Sequence, residues 1–147
     1  MNVVKYYAGI PAILVVALSA CTAVKVRPIE DRSKMANVCI ERNPAVQVSD
    51  FLPVLRDGLS RNGVRSFVFA GDPPADCEFI VTYTARRSWD LAPYLAHAEI
   101  RVERDGLQVG YGEFHLRGGG GYSMFKWQGT KAKMDPVIDQ LFADQAL

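Results

Sequence analysis

The chain has 147 residues, with 17 Lys and Arg against 16 Asp and Glu, which gives a formal net charge of +1. A chain of this length matches one domain of ordinary size. The balanced charge argues against the strongly basic surface with which nucleic-acid-binding proteins contact phosphates. We therefore expect a single domain and no nucleic-acid partner.

The N-terminus has the pattern of a bacterial lipoprotein signal peptide. Lys5 precedes an apolar run over residues 8–18, and the lipobox Leu-Ser-Ala-Cys ends at Cys21. The alternative is an uncleaved membrane helix, but the run is shorter than the ~20 residues that a span requires. We therefore predict that residues 1–20 are a signal peptide and that Cys21 begins the mature chain and carries lipid.

Lipid on Cys21 would anchor the protein without a spanning helix, because each acyl methylene buried in the bilayer contributes ~0.8 kcal/mol. Residue 22 is Thr, whereas Asp there is the usual inner-membrane retention signal, so we expect the periplasmic face of the outer membrane. Residues 21–35 are mixed in charge and lack an apolar period, which predicts a flexible tether. Residues 36–147 then form the periplasmic domain.

The first predicted elements of this domain are a strand, a helix and a second strand. Residues 36–42 predict the first strand. Ser49 is a plausible helix N-cap, and apolar residues follow it at helical spacing as far as Asn62 and Gly63. Residues 64–70 predict the second strand, which a Gly-Asp-Pro-Pro turn ends.

Three longer strands and a terminal helix complete the domain. Asp105 and Gly106 predict a hairpin turn, and Asp135 and Pro136 fit the N-cap and first position of a helix. The order β-α-β-β-β-β-α predicts an α+β fold, a two-layer sandwich in which two helices cover one face of a mainly antiparallel sheet. The three segments that alternate between apolar and polar side chains are residues 78–88, 95–104 and 107–117.

Two cysteines remain besides Cys21. Cys39 and Cys77 would lie in an oxidising compartment, so we predict a disulfide between them. It would close a loop of 39 residues, for which the chain-entropy treatment gives about 4 kcal/mol of stabilisation. The alternative is a pair of unbonded buried thiols, since Cys39 lies between Val38 and Ile40.

The outward face of the long hairpin carries both histidines of the chain. A three-residue loop at residues 104–106 would place His97 opposite Glu113 and bring Glu99 and His115 beside them. Two imidazoles and two carboxylates could bind zinc or another divalent metal. The alternative is an exposed sheet face with opposite-charge pairs, each worth about a few tenths of a kcal/mol. We expect no cofactor other than the lipid and keep the metal site as a second hypothesis.

Aromatic side chains occupy two predicted loops, one before the long hairpin and one after its last strand. If the two loops meet at one end of the sheet, they would form a docking surface, and the basic residues beside them are typical of protein interfaces. The alternative is that the rings close the core. The predicted partner-binding residues are Arg86, Arg87, Trp89, Tyr94, Phe125, Lys126 and Trp127.

The sequence lacks the common motifs of hydrolases and nucleotide-binding sites. It contains neither G-x-S-x-G nor H-E-x-x-H. Four glycines at residues 118–121 lie between a strand and a helix, but Lys126 is followed by Trp127 rather than by the Ser or Thr of a phosphate loop. We predict a flexible turn with positive φ for the glycines, and a protein that is not an enzyme.

Several segments resemble a family of small proteobacterial lipoproteins of unassigned function. The lipobox carries the resemblance together with CIERNP, CEFIVTYTARRSWD, PYLAHAEIRV, GEFHL and KWQGT. The likeness covers nearly the whole mature chain and implies the lipoprotein address, the fold and the pair Cys39 and Cys77. It brings no catalytic residues.

These features together predict an outer-membrane-anchored periplasmic lipoprotein that is a non-catalytic binding or accessory module of the cell envelope. Its expected partners are the membrane, through the lipid, and an envelope protein. The alternative is a small-ligand or metal-binding lipoprotein that uses the exposed sheet face.

Overall fold

Two helices lie on one face of a six-stranded sheet, so the predicted α+β fold is confirmed. A computed structural model describes residues 22–144, and the predicted signal peptide and Cys21 lie outside them. None of the helices in this part of the chain is long and apolar enough to cross a membrane. The strands are β1 (Thr22–Arg27), β2 (Asn37–Glu41), β3 (Arg65–Phe69), β4 (Phe79–Asp90), β5 (Ala92–Arg104) and β6 (Leu107–Leu116). The helices are α1 (Phe51–Arg61) and α2 (Thr130–Leu141), and 3-10 turns at Arg117–Gly120 and Met124–Trp127 precede α2.

The strand order across the sheet is β1-β6-β5-β4-β2-β3. Neighbours from β1 to β4 are antiparallel, whereas β2 is parallel to both β4 and β3. α1 connects β2 to β3, because parallel neighbours require a crossover of this length. β1 and β3 form the two edges. This order places the end of β4 at the same end of the sheet as the start of β1.

The prediction of a flexible tether is wrong for the start of the described chain. Thr22–Arg27 pairs along its whole length with β6, and Thr22 lies opposite Leu116. Ile29 and Met35, farther along the predicted tether, are buried in the core. β1 is a six-residue edge strand, and pairing with β6 rather than a long apolar period places it in the sheet.

Apolar side chains from one sheet face and the two helices form the core. The positions that alternation predicts to face inward are all buried except Ala96, which is partly exposed: Phe79, Val81, Tyr83, Ala85, Ala96, Ala98, Ile100, Val102, Gly110, Gly112, Phe114 and Leu116. The Phe51 ring of α1 stacks on Tyr83 with centroids 5.4 Å apart. Each fully buried side chain of this size contributes about 1.5–3 kcal/mol. The largest of them are Phe51, Phe114, Phe142, Ile40, Leu55, Leu59, Ile100, Met134, Ile138 and Leu141.

Both helices begin at other residues than predicted. The N-cap of α1 is Asp50 rather than Ser49, although the helix ends before Gly63 as expected. α2 begins at Thr130, so Pro136 lies inside it and not at its first position. The Thr130 hydroxyl donates to the Asp50 carboxylate at 2.9 Å, which joins the first turns of the two helices. This contact between distant residues cannot be read from local spacing.

The turns of the two hairpins also differ from the prediction. Trp89 lies in β4 and Tyr94 in β5, and Leu91 alone separates the strands, with a φ of 61°. Asp105 and Gly106 form a two-residue turn in which both have positive φ, instead of a three-residue loop. The glycine run at residues 118–121 has positive φ throughout, as predicted.

A bulge in β6 sets the register of the β5–β6 hairpin. The two-residue turn shifts the pairing by one residue, and Val109, an extra residue of β6, shifts it by one more. The predicted pairing of His97 with Glu113 is therefore wrong by two residues. A shift of two keeps every side chain on its predicted face. The observed pairs are His97 with His115 and Glu99 with Glu113.

A disulfide joins Cys39 and Cys77, as predicted, with Cα atoms 5.9 Å apart. Cys39 pairs with Phe67 of β3 and Ile80 of β4. Since its neighbours in β2 point into the core, the Cys39 side chain lies on the sheet face opposite the helices. The bond therefore holds the segment between β3 and β4 against that face.

Candidate binding surfaces

The first candidate surface is the sheet face opposite the helices, which we call the open face. Strand alternation points every second residue of β4, β5 and β6 to this side. Almost all of them are polar or charged, in contrast to the apolar face that the helices cover. The central residues of the open face are Thr82, Thr84, Arg86, His97, Glu99, Arg101, Tyr111, Glu113 and His115.

Three side chains of the open face form a compact cluster. His97 Nε2 lies 3.1 Å from Glu113 Oε1, and the rings of His97 and His115 meet edge to face with centroids 5.2 Å apart. One possible ligand atom from each residue lies within 4.8 Å of the others. Glu99 is farther away, with Oε1 3.6 Å from His97 Nε2. The four residues of the predicted metal site therefore do lie together.

Hydrogen bonds within the open face satisfy two members of this cluster, His97 and Glu113. Arg86 Nη2 lies 3.4 Å from His97 Nδ1, and a guanidinium can only donate, so Nδ1 accepts and Nε2 carries the proton given to Glu113. Tyr111 donates to the other Glu113 oxygen at 3.1 Å. Although burial opposes it, these bonds from His97 and Tyr111 hold the pKa of the Glu113 carboxyl below its ordinary value. Burial and the bond to Glu113 raise the pKa of Tyr111 to about 12.

A shallow cavity of about 220 Å³ adjoins the cluster. Arg101 lies at its edge, where it pairs with Glu99 at 2.5 Å and approaches the Tyr111 ring at 6.0 Å. Hydroxyl, carboxylate and guanidinium groups surround this cavity, so it suits a polar ligand or a polar segment of a partner. Its lining residues are Asn43, Thr82, Tyr83, Thr84, Glu99 and Arg101.

The second candidate surface is the end of the sheet where β4 and β6 finish and β5 and β1 begin, which we call the aromatic end. The two aromatic segments meet there. Trp127 Nε1 donates to the Asp90 carbonyl at 2.9 Å, and Lys126 Nζ contacts the Asp90 carboxylate. These bonds fix the 3-10 turn before α2 to the tip of the β4–β5 hairpin.

Several of the predicted partner-binding residues hold this junction together instead of facing outward. Tyr94 and Lys126 are buried, and Lys126 Nζ lies 4.7 Å from the Trp127 ring centroid and 5.9 Å from that of Tyr94. Phe125 and Trp127 are half-buried. Tyr94 and Lys126 therefore offer a partner little exposed surface. The exposed members of the predicted set are Arg86, Arg87 and Trp89.

Other exposed apolar side chains lie in the segments that meet at the aromatic end. Leu91 forms the hairpin tip, and Tyr122 and Met124 lie in the segment after the glycine run. Local patterns predict that loop residues are exposed, but they do not show that these loops meet at one end of the sheet. The exposed patch is therefore a product of the tertiary structure.

Lys133 of α2 is a buried charged residue that the sequence analysis missed. Its Nζ donates to the carbonyls of Leu95, at 3.0 Å, and Lys126. Burial lowers its pKa to about 8. Its spacing of four from Val137, and of eight from Leu141, places it on the buried stripe of α2 and could have revealed it.

No protein-family model matches the sequence, and no curated protein matches it. A PelC dodecamer from Paraburkholderia phytofirmans is similar in structure, with a TM-score of 0.55 and 10% identity, over 84% of this chain and 99% of that chain. The chain shares its fold with PelC. A minor lipoprotein from Acinetobacter baumannii is also similar, with 14% identity and a TM-score of 0.40, over 74% of this chain and 90% of that chain.

Proposed function

We propose that this protein is an outer-membrane lipoprotein, anchored through Cys21, whose periplasmic domain is a non-catalytic binding or accessory module of the cell envelope. The observation that carries the proposal is the open face, where Thr84, Glu99 and Arg101 line a shallow polar cavity outside the helices. Such a surface fits the polar part of a partner protein. The lipobox supports the anchor, and the fold shared with PelC is compatible with this role.

The anchor is tested first, in cells that produce the full-length protein. Labelled palmitate should be incorporated into the wild type and not into the Cys21→Ala variant. Density-gradient separation of the envelope should place the wild type with outer-membrane markers. Unlabelled wild-type protein would contradict the lipid anchor, and co-migration with inner-membrane markers would contradict the address.

The binding role is tested by photo-crosslinking in the native envelope. Photoreactive residues at Thr84 and Arg101 should capture a discrete protein, whereas one at Asp139, on the exposed side of α2, should not. An adduct at a multiple of the protein's own mass would identify a second copy, which is of interest because the PelC structure is a dodecamer. Another mass would identify a different envelope protein. The absence of adducts at Thr84 and Arg101 would contradict a binding role for the open face.

The second candidate function is binding of a divalent metal at the open face. The favouring observation is that ligand atoms of His97, Glu113 and His115 lie within 4.8 Å of one another, with donor types that zinc accepts. Arg86 opposes this function. A metal on His97 Nε2 would leave a proton on Nδ1, which would then face the donating guanidinium.

Titration of the full-length protein with zinc or manganese tests the metal hypothesis, because Arg86 opposes metal binding and its removal should have a measurable effect. If the site binds metal, His115→Ala should lose the binding, Arg86→Ala should strengthen it, and Glu103→Gln should leave it unchanged. Glu103 is the matched control because it is a β5 carboxylate outside the cluster. No rise in melting temperature of the wild type with either metal would contradict the hypothesis.

A further inference from the structure

We propose that the aromatic end of the domain lies on the phospholipid surface to which Cys21 is anchored, with Trp89 and Leu91 at the boundary between head groups and acyl chains. The inference rests on the proposed lipidation of Cys21. It assigns membrane contact, rather than protein docking, to this exposed apolar patch.

The first argument is that the chain leaves no spacer between the anchor and the sheet. β1 begins at Thr22, directly after Cys21, and consecutive Cα atoms lie ~3.8 Å apart. Thr22 is paired with Leu116 at the end of β6, so it is fixed within the sheet. Acyl chains on Cys21 therefore bring this end of the sheet to the membrane surface.

The second argument is that the β4–β5 hairpin projects from this same end. His97 and His115 form the last pair of β5 and β6 towards it, and Thr22 lies only one residue beyond the level of His115. Ala96 is an extra residue of β5 at a second bulge, so the hairpin extends five residues of β4 beyond the level of His97 to reach Leu91, about 16 Å at ~3.3 Å per residue. The hairpin tip thus reaches farther than the anchor point, and the domain contacts the bilayer at both.

The third argument is the chemistry of the side chains at this end. Trp and Tyr favour the head-group region, and Leu and Met enter the acyl boundary. Arg87 and Arg117 are exposed in the segments of this end, and basic side chains are attracted to an anionic bilayer surface. The exposed fractions are 71% for Trp89, 84% for Leu91, 104% for Tyr122 and 77% for Met124.

The fourth argument is the conformation of Leu91. Its φ of 61° lies in the left-handed region, which has a conformational cost for a residue with a Cβ. The side chain is exposed, so packing within the domain offsets little of this cost. Bonds from Lys126 and Trp127 to the preceding Asp90 hold the turn in place. A bilayer would bury Leu91 and provide the apolar contacts that the domain does not.

The test uses the full-length lipoprotein in vesicles of phosphatidylethanolamine and phosphatidylglycerol, with and without brominated acyl chains, which quench nearby tryptophan. The chain has 2 Trp, so Trp127→Phe leaves Trp89 as the sole emitter. Its emission should shift to shorter wavelength and lose most of its intensity with brominated lipid. The wild type and the Trp89→Phe variant should also differ in quenching by brominated lipid, and this comparison leaves Trp127 unchanged.

The matched control places the emitter at the opposite end of the sheet. Leu107 is exposed to 71%, as is Trp89, but lies beside the β5–β6 turn. In the combined variant Trp89→Phe, Trp127→Phe and Leu107→Trp, brominated lipid should leave the emission unchanged. Leu91→Asp in the Trp127→Phe background should reduce the quenching of Trp89, because burial of a charge in the acyl boundary is unfavourable.

Flotation of the same vesicles separates this inference from the proposed function. Protein that floats with the vesicles while Trp89 stays unquenched would overturn the membrane contact and leave the anchor intact. Protein that does not float would overturn the anchored function and the contact together. Capture of a protein by a photoreactive residue at Leu91 in the envelope, with Trp89 unquenched, would reassign the aromatic end to protein docking.

Discussion

Lys133 is a charged side chain inside the core, and its energetics follow from the nature of its partners. Its Nζ donates to two carbonyl oxygens and lies 5.6 and 5.7 Å from the ring centroids of Tyr94 and Phe114. Neutral acceptors and ring faces replace only part of the hydration that an ammonium group loses. Burial therefore lowers the pKa from 10.5 to about 8.

Lys133 should make the free energy of unfolding rise between pH 8 and 10.5. Below this window both states hold the proton, and within it the unfolded state binds more protons, so loss of the proton favours the folded state by up to about 3 kcal/mol. Urea unfolding across the window should show the rise in the wild type and in the Lys131→Met control. A rise of the same size in Lys133→Met would contradict this assignment.

Leu91 should contribute little to the stability of the domain despite its size. In Leu91→Gly, relief of the left-handed conformation is offset by the greater freedom of glycine in the unfolded chain, so we expect a change within about 1 kcal/mol. Thermal unfolding of the full-length protein measures it. A much larger loss would show that Leu91 packs within the domain and would weaken its assignment to the membrane.

Close packing between α2 and β6 depends on glycines that face the helix. A Cβ at Gly112 would lie 2.8 Å from Val137 Cγ1, and one at Gly110 would lie 2.7 Å from Ile29 Cγ1. Glycine within a strand is unfavourable by about 0.5–1 kcal/mol relative to alanine. At these positions, glycine permits α2 to approach the sheet closely. The conformational cost of glycine in β6 is therefore linked to the close packing of α2.

Gly112→Ala should destabilise the protein by about 1–3 kcal/mol, because the new methyl group overpacks the contact with Val137. In the Val137→Ala background, the same change should cost less, since the removed methyl groups leave room for it. Denaturant unfolding of the four proteins in this double-mutant cycle measures the coupling. Additive effects would mean that Gly112 acts through backbone conformation instead.

At the scale of the whole molecule, the aromatic end and the open face have separate positions. Thr22 and the hairpin tip belong to one end of the sheet, whereas the polar cavity lies on the open face at Thr82, Glu99 and Arg101. A domain that rests on the membrane by its end would keep this face free. Membrane contact and partner binding are thus compatible in one domain.

The disulfide restricts the chain over the whole β2-α1-β3 unit. Cys39 and Cys77 are separated by 38 positions, so the double variant Cys39→Ser and Cys77→Ser should lose about 2–5 kcal/mol of unfolding free energy. Denaturant unfolding with and without reductant measures this loss. Reductant should destabilise the wild type and leave the double variant unchanged. Equal stability of the two oxidised proteins would contradict the predicted contribution.

The sequence by itself determined the α+β class, the inward faces of β4, β5 and β6, and the disulfide between Cys39 and Cys77. Alternation and helical spacing record which side chains are buried, and this information is local. The same alternation placed His97, Glu113 and His115 on one face. A register error of two residues did not disturb this placement, because the side-chain period of a strand is two.

Only the tertiary structure decided the rest, because long-range contacts override local pattern. Pairing with β6 made Thr22–Arg27 a strand. The contact of Thr130 with Asp50 placed Thr130 at the start of α2. Packing at the aromatic end buried Tyr94 and Lys126 and left Leu91 exposed. The sheet order brought Thr22 and the hairpin tip to one end. Each of these outcomes depends on residues far apart in the chain, whose proximity no local spacing encodes.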